Sequence, residues 1–118
     1  MIEQTLVAVL KNDSAVSALV GTRIRPLNLK QDDVLPGVVY QRVSTVPVTS
    51  LGGDSGVDAC RIQVSCWAET YAEARTLASA VRAAVTGGMV AVTEMDMDDR
   101  DEATQHYRVI LDFRIWQK

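Results

Sequence analysis

The sequence predicts an α+β fold: a mostly antiparallel sheet of about four strands with helices on one face. Three observations carry this expectation. Behind a capping signal at Thr70, aliphatic residues repeat every three or four positions, which marks a helix over about 71–86. Two stretches, 59–67 and 105–116, alternate apolar and polar residues and read as half-buried strands. The segments run helix, strand, strand, helix, strand, strand, so both strand pairs can close as hairpins.

Along the chain, Ile2, Leu6, Val9 and Leu10 fall at helical spacing, with Glu3, Gln4 and Lys11 away from them. Asp13 or Ser14 can cap a second short helical turn that runs to Val20, with Gly21 as its stop. Arg23 to Arg25 suit a short strand ended by Pro26. Residues 38–45, VVYQRVST, are rich in β-formers. Residues 46–58 hold Pro47, Gly52, Gly53 and Gly56 and read as a loop, long for a hairpin and expected to be mobile in the free subunit. In 59–67, Cys60, Ile62, Val64 and Cys66 point one way; Arg61, Gln63, Ser65 and Trp67 point the other.

The helix that follows opens with the box T-Y-A-E, Thr70 to Glu73. Ala74, Leu77, Ala78, Val81, Ala84 and Val85 line its apolar stripe, and Gly87-Gly88 should end it. Residues 89–95 read as a strand, followed by an acidic turn. In the last strand, Tyr107, Val109, Leu111, Phe113 and Ile115 share one face, while His106, Arg108, Ile110, Asp112, Arg114 and Trp116 share the other.

With 118 residues, 47% hydrophobic and 23% charged, the chain is sized and composed for one domain, 1–118, that needs no disulfide or metal to fold. No run approaches the roughly 18 apolar residues of a membrane helix. The N-terminus has no basic region ahead of an apolar stretch, so a cytoplasm is the expected place of synthesis. The net charge of −3 gives no electrostatic reason to bind nucleic acid. Acids concentrate in 94–102, where six of them surround Arg100.

The search for chemistry yields little. Cys60 and Cys66 lie six residues apart on one strand, roughly 20 Å, too far for a disulfide. His106 is the only histidine, and no nucleophile is placed beside it. One histidine and two remote cysteines do not make a zinc set. The run D-M-D-D-R-D-E lacks the sixth-position glycine and closing glutamate of an EF-hand loop. LGGDSG matches neither the dinucleotide fingerprint nor the P-loop. We therefore expect no catalytic residues, no cofactor and no metal. The second face of the sheet is more telling. Trp67 and Trp116 stand there with Arg61, Arg108 and Arg114, residue types enriched where proteins meet, and these five are the candidate interface.

The stretches VLPGVVYQRVS, ACRIQVSCWAETYAEARTLASAVRAAV and YRVILDFRIW resemble the tail completion, or tail terminator, proteins that join heads to tails in tailed phages and prophages. The resemblance runs from the N-terminal helix and Gly21-Thr22-Arg23-Ile24 to the last strand. Its most specific part is CWA-x-x-Y-A-E-A-R, Cys66 to Arg75. The resemblance implies a mostly antiparallel sheet flanked by helices and a ring-shaped homo-oligomer, typically a hexamer. It implies as partners the tail tube protein and the head connector, with DNA only as cargo through the lumen. The family look brings no catalytic residue with it. The competing reading is a small-molecule-binding or enzymatic α+β domain of bacterial origin.

Overall fold

The computed structural model describes residues 2–30, 33–50 and 53–117. Three helices and five strands follow in the order α1 (Ile2–Asn12), α2 (Ser14–Val20), β1 (Ile24–Pro26), β2 (Gly37–Ser50), β3 (Gly53–Ala68), α3 (Tyr71–Gly88), β4 (Ala91–Asp101) and β5 (His106–Gln117). The strands form one sheet, ordered β1-β2-β3-β5-β4. Every pairing is antiparallel except the short parallel contact of β1 with β2, where Ile24 stands opposite Val38. The fold is α+β as expected, with five strands against about four, because three residues around Arg25 do join the edge.

Local chemistry sets the helix ends. The Asp13 carboxylate accepts from the backbone N–H of Ala15 and Val16, each at 3.0 Å, which satisfies two orphan donors of α2. Thr70 Oγ1 accepts from the Glu73 N–H at 3.2 Å, one half of the predicted capping box. At the other end α3 departs from expectation: Gly87 and Gly88 are helical, and the helix stops at Met89. Gly88 has a packing role instead. A Cβ there would sit 2.8 Å from Val9 Cγ1, so its missing side chain is what lets α3 cross α1 closely.

The core lies between the three helices and one face of the sheet. Cys60, Ile62, Val64 and Cys66 of β3 and Val109, Leu111, Phe113 and Ile115 of β5 are buried there. They meet Leu6 and Leu10 of α1 and the Leu77–Val81 stripe of α3. Both cysteines are free thiols inside this core.

Two expectations are corrected. Residues 46–58 are not a loop among the described positions. The β2–β3 ladder runs through them, from Val46 opposite Ala59 to Ser50 opposite Gly53; Leu51 and Gly52 lie outside the described residues. Threonine and valine there favour pleated backbone and outweigh the glycines and Pro47. The acidic segment is likewise strand rather than turn: Glu94 to Asp101 belong to β4, and only 102–105 make the turn into β5. Its acids are tolerated because arginines meet them. Arg75 of α3 bonds Asp96 at 2.7 Å and Asp98 at 3.1 Å, Arg114 bonds Glu94 at 2.9 Å, and Arg108 bonds Asp99. Tyr71 also donates to Asp98 at 2.7 Å.

Candidate functional site: the helix-free face of the sheet

Alternation along β3 and β5 sends one set of side chains to the helices and the other to the opposite face. Cross-strand register places the second set in rows. Trp67 stands opposite Arg108, Ser65 opposite Ile110, Gln63 opposite Asp112, Arg61 opposite Arg114, and Ala59 opposite Trp116. All five candidate interface residues therefore share this face. They do not form one cluster: Trp67 and Arg108 lie at one end, and Arg61, Arg114 and Trp116 at the other.

The three arginines are engaged. Arg61 reaches the Asp112 carboxylate through Nη2 at 2.6 Å and Nε at 3.1 Å; Asp112 is buried, while Arg61 stays more than half exposed. That bond holds the Arg61 pKa above its ordinary value. Arg114 is paired with Glu94, and Arg108 lies over the Trp67 ring, 5.0 Å from its centroid, while bonding Asp99. The Arg108 guanidinium, with the Arg100 N–H, holds the Asp99 carboxyl below the usual carboxylate range. Both partners reach solvent in the Arg114–Glu94 and Arg108–Asp99 pairs, so each of these two contributes at most about 1 kcal/mol and mainly fixes side-chain direction. Trp116 lines a recess with Ser44, Val46 and Ala59 on the open face and another with Ile2 and Thr5 at the foot of α1.

At the Trp67 end, the segment leaving β1 folds back over this face. A concave pocket of about 300 Å³ results, walled by Leu27, Leu29, Leu35, Val39 and Trp67. Its polar groups include Gln41, Gln63, Ser65, His106 and Arg108. Two features of this segment escape sequence reading. Leu27 adopts φ 66°, the left-handed region that costs a side-chain-bearing residue about 1–2 kcal/mol, and it is still 63% exposed. Arg25 clamps Asp33 with two bonds of 3.2 Å, and Arg23 donates to the Pro36 carbonyl at 2.9 Å, which ties the segment to the sheet edge. The same Arg25 bonds hold the Asp33 carboxyl below its ordinary range. His106 is half-buried in the pocket wall.

On the helix side, Cys66 is buried in the core, and that burial pushes its thiol up from the ordinary value. Among the described residues, no three of histidine, cysteine, aspartate and glutamate are grouped to hold a metal ion.

Comparison with known proteins agrees with this architecture. No curated protein matches the chain. Among solved structures, a chain of the virion of a native gene transfer agent particle superposes with a TM-score of 0.73 at 19% identity, covering 98% of this chain and 92% of that one. The gp17 protein of bacteriophage SPP1 gives a TM-score of 0.62 at 20% identity, covering 99% of this chain and 88% of that one. At these identities the likeness is one of fold. Family membership comes from the sequence itself. The family described as tail completion protein gp17 matches residues 4–118, and the chain belongs to that family.

Proposed function

We propose that this protein completes phage tails as a structural subunit, without turnover of any substrate. Copies associate head to tail into a closed ring, a hexamer by the family resemblance, that caps the tail tube and presents its outer face to the head connector. The family match over residues 4–118 carries this reading. The solved relatives support it: one is part of a virion and the other a bacteriophage protein. The chain acts as one domain, assembled in the host cytoplasm and resident at the head–tail junction, with DNA passing only as cargo.

Physically, a terminator must hold the growing tube end more tightly than the next tube subunit does, yet offer no matching end itself. A heterologous contact whose rotation closes supplies such a particle, because ring closure leaves two unlike flat faces. The helix-free sheet face suits one such contact, since Trp67 and its stacked Arg108 are types that dominate binding energy once desolvated.

Deleting the gene from its phage tests the reading. Tails of abnormal length or stability and heads that fail to join them are expected in electron micrographs. Tails of normal length, joined normally, would overturn it. Trp67→Ala should leave a folded protein with weakened ring or tube contact. Normal assembly by that variant would remove this face from the contact and leave the capping role standing.

A further inference from the structure

An open sheet leaves a row of backbone N–H and C=O groups unpaired along each edge, and such a row is a template for another strand. One edge here is β4, eleven residues from Ala91 to Asp101 with no strand outside it among the described residues. At the other edge β1 covers β2 only at Val38, Val39 and Tyr40, so β2 is uncovered from Gln41 onward. Neither edge is polar throughout. Of the nine large hydrophobic side chains exposed among the described residues, five sit on these two strands: Val43 and Val46 on β2, and Val92, Met95 and Met97 on β4. Val46 stands opposite Ala59, and Val92, Met95 and Met97 stand opposite Arg114, Asp112 and Ile110, so these four belong to the helix-free face.

The two edges differ in charge. β4 and its turn carry six acids, and with Arg75, Arg100, Arg108 and Arg114 all counted this edge stays net negative. At the β1–β2 edge, Arg23, Arg25, Lys30 and Arg42 stand against Glu3 and Asp33, and the balance is positive. Two β4 edges side by side would set acid against acid, which disfavours a symmetric edge-to-edge dimer. β4 beside the β2 edge of another copy sets acid by base, and valine by methionine. Strand direction agrees. β2, β3, β5 and β4 alternate in direction across the sheet, so β4 runs opposite to β2. A second copy placed beside β4 by its own β2 continues the antiparallel pattern.

We propose that β4 of one copy pairs with the uncovered edge of β2 in the next, extending the sheet from copy to copy. Two different edges of each copy are used, so the contact is heterologous, the kind a closed ring requires. The bulges near Val43 and Glu94 keep the paired stretch short. The inference rests on the ring reading above and names the surfaces that would close it.

Two measurements test it. In the first, Val46→Cys chains are mixed with Val92→Cys, Met95→Cys or Met97→Cys chains and treated with a short bismaleimide, and the products are digested and mass-analysed. The native cysteines are buried and should stay unmodified. Each chain carries one new thiol, so a link from position 46 to a β4 position joins different chains. Such a link is expected for at least one of the three mixtures. Its absence from oligomeric material, or links between β4 positions alone, overturns the pairing. In the second, light scattering follows mass against concentration for the unaltered chain, Val46→Thr and Met97→Thr. Threonine keeps the strand preference and removes apolar contact. The concentration needed for assembly should rise several-fold for Val46→Thr and roughly tenfold for Met97→Thr, with thermal unfolding of the monomer little changed. If either variant assembles like the unaltered chain, the pairing fails and the ring stands. If the unaltered chain stays monomeric at every concentration, with and without tail tubes, ring and pairing fail together.

Discussion

Leu27 and the two cysteines show how burial and backbone geometry separate neighbouring kinds of residue. Cys60 and Cys66 are at most 2% exposed, and burial lifts the Cys66 thiol far above its ordinary value. Neither thiol should react with a thiol-specific chromogen until the chain unfolds; prompt modification of the native protein would show that the core opens locally. Leu27 is the opposite case, an exposed aliphatic held at positive φ. Folding gains little from it there. Leu27→Asn places a residue that tolerates this backbone and loses little burial, so the free subunit should become about 0.5–1 kcal/mol more stable in denaturant titration. A variant that loses stability would mean that Leu27 is a folding residue.

The elements divide by how local their causes are. The α3 stripe is a local pattern, and its consequence is direct. Leu77 is fully buried, so Leu77→Asp puts an unpaired charge in the core and should cost several kcal/mol, enough to unfold a marginal domain. Gly88→Ala acts through a contact instead. The new methyl meets Val9 at 2.8 Å, α1 must give way, and a loss of about 1–3 kcal/mol should appear as a lowered unfolding midpoint. What was legible in the sequence follows the same division. α1, α3, β3 and β5 could be read because period and capping are written in adjacent residues. The extension of β2 and β3 through 46–58 could not, because cross-strand pairing outweighed Gly53, Gly56 and Pro47, and pairing is not a local property. The acidic segment reads as turn on composition. It becomes strand because Arg75, Arg108 and Arg114, distant in sequence, neutralise it. Alternation alone was enough to put Trp67, Trp116, Arg61, Arg108 and Arg114 on one face of the sheet. The pocket beside them was invisible, since it depends on where the segment after β1 folds back.

For the molecule as a whole, the charge pattern sets how stability responds to acid. Asp33 and Asp99 hold folded-state pKa values below the ordinary carboxylate value, chiefly through hydrogen bonds from Arg25 and Arg108. Their ionised forms therefore favour the folded state. Down to the unfolded-state pKa, about 3.9, both carboxylates are charged in either state and their contribution is constant. Below it the unfolded chain takes up protons first, and the stabilising contribution falls away as pH drops through the folded-state values. The Arg108–Asp99 pair is open to solvent and Arg25 of the other pair is partly so, so the effect is modest and shrinks in salt. The expected stability from these groups is flat between pH 8 and about 5 and declines below about 4, more steeply at low ionic strength. Chemical denaturation at a series of pH values, in low and high salt, measures it. Asp99→Asn should flatten part of the acid decline without changing the neutral-to-mild-acid plateau. An acid decline untouched by Asp99→Asn and by salt would place the acid sensitivity in other groups.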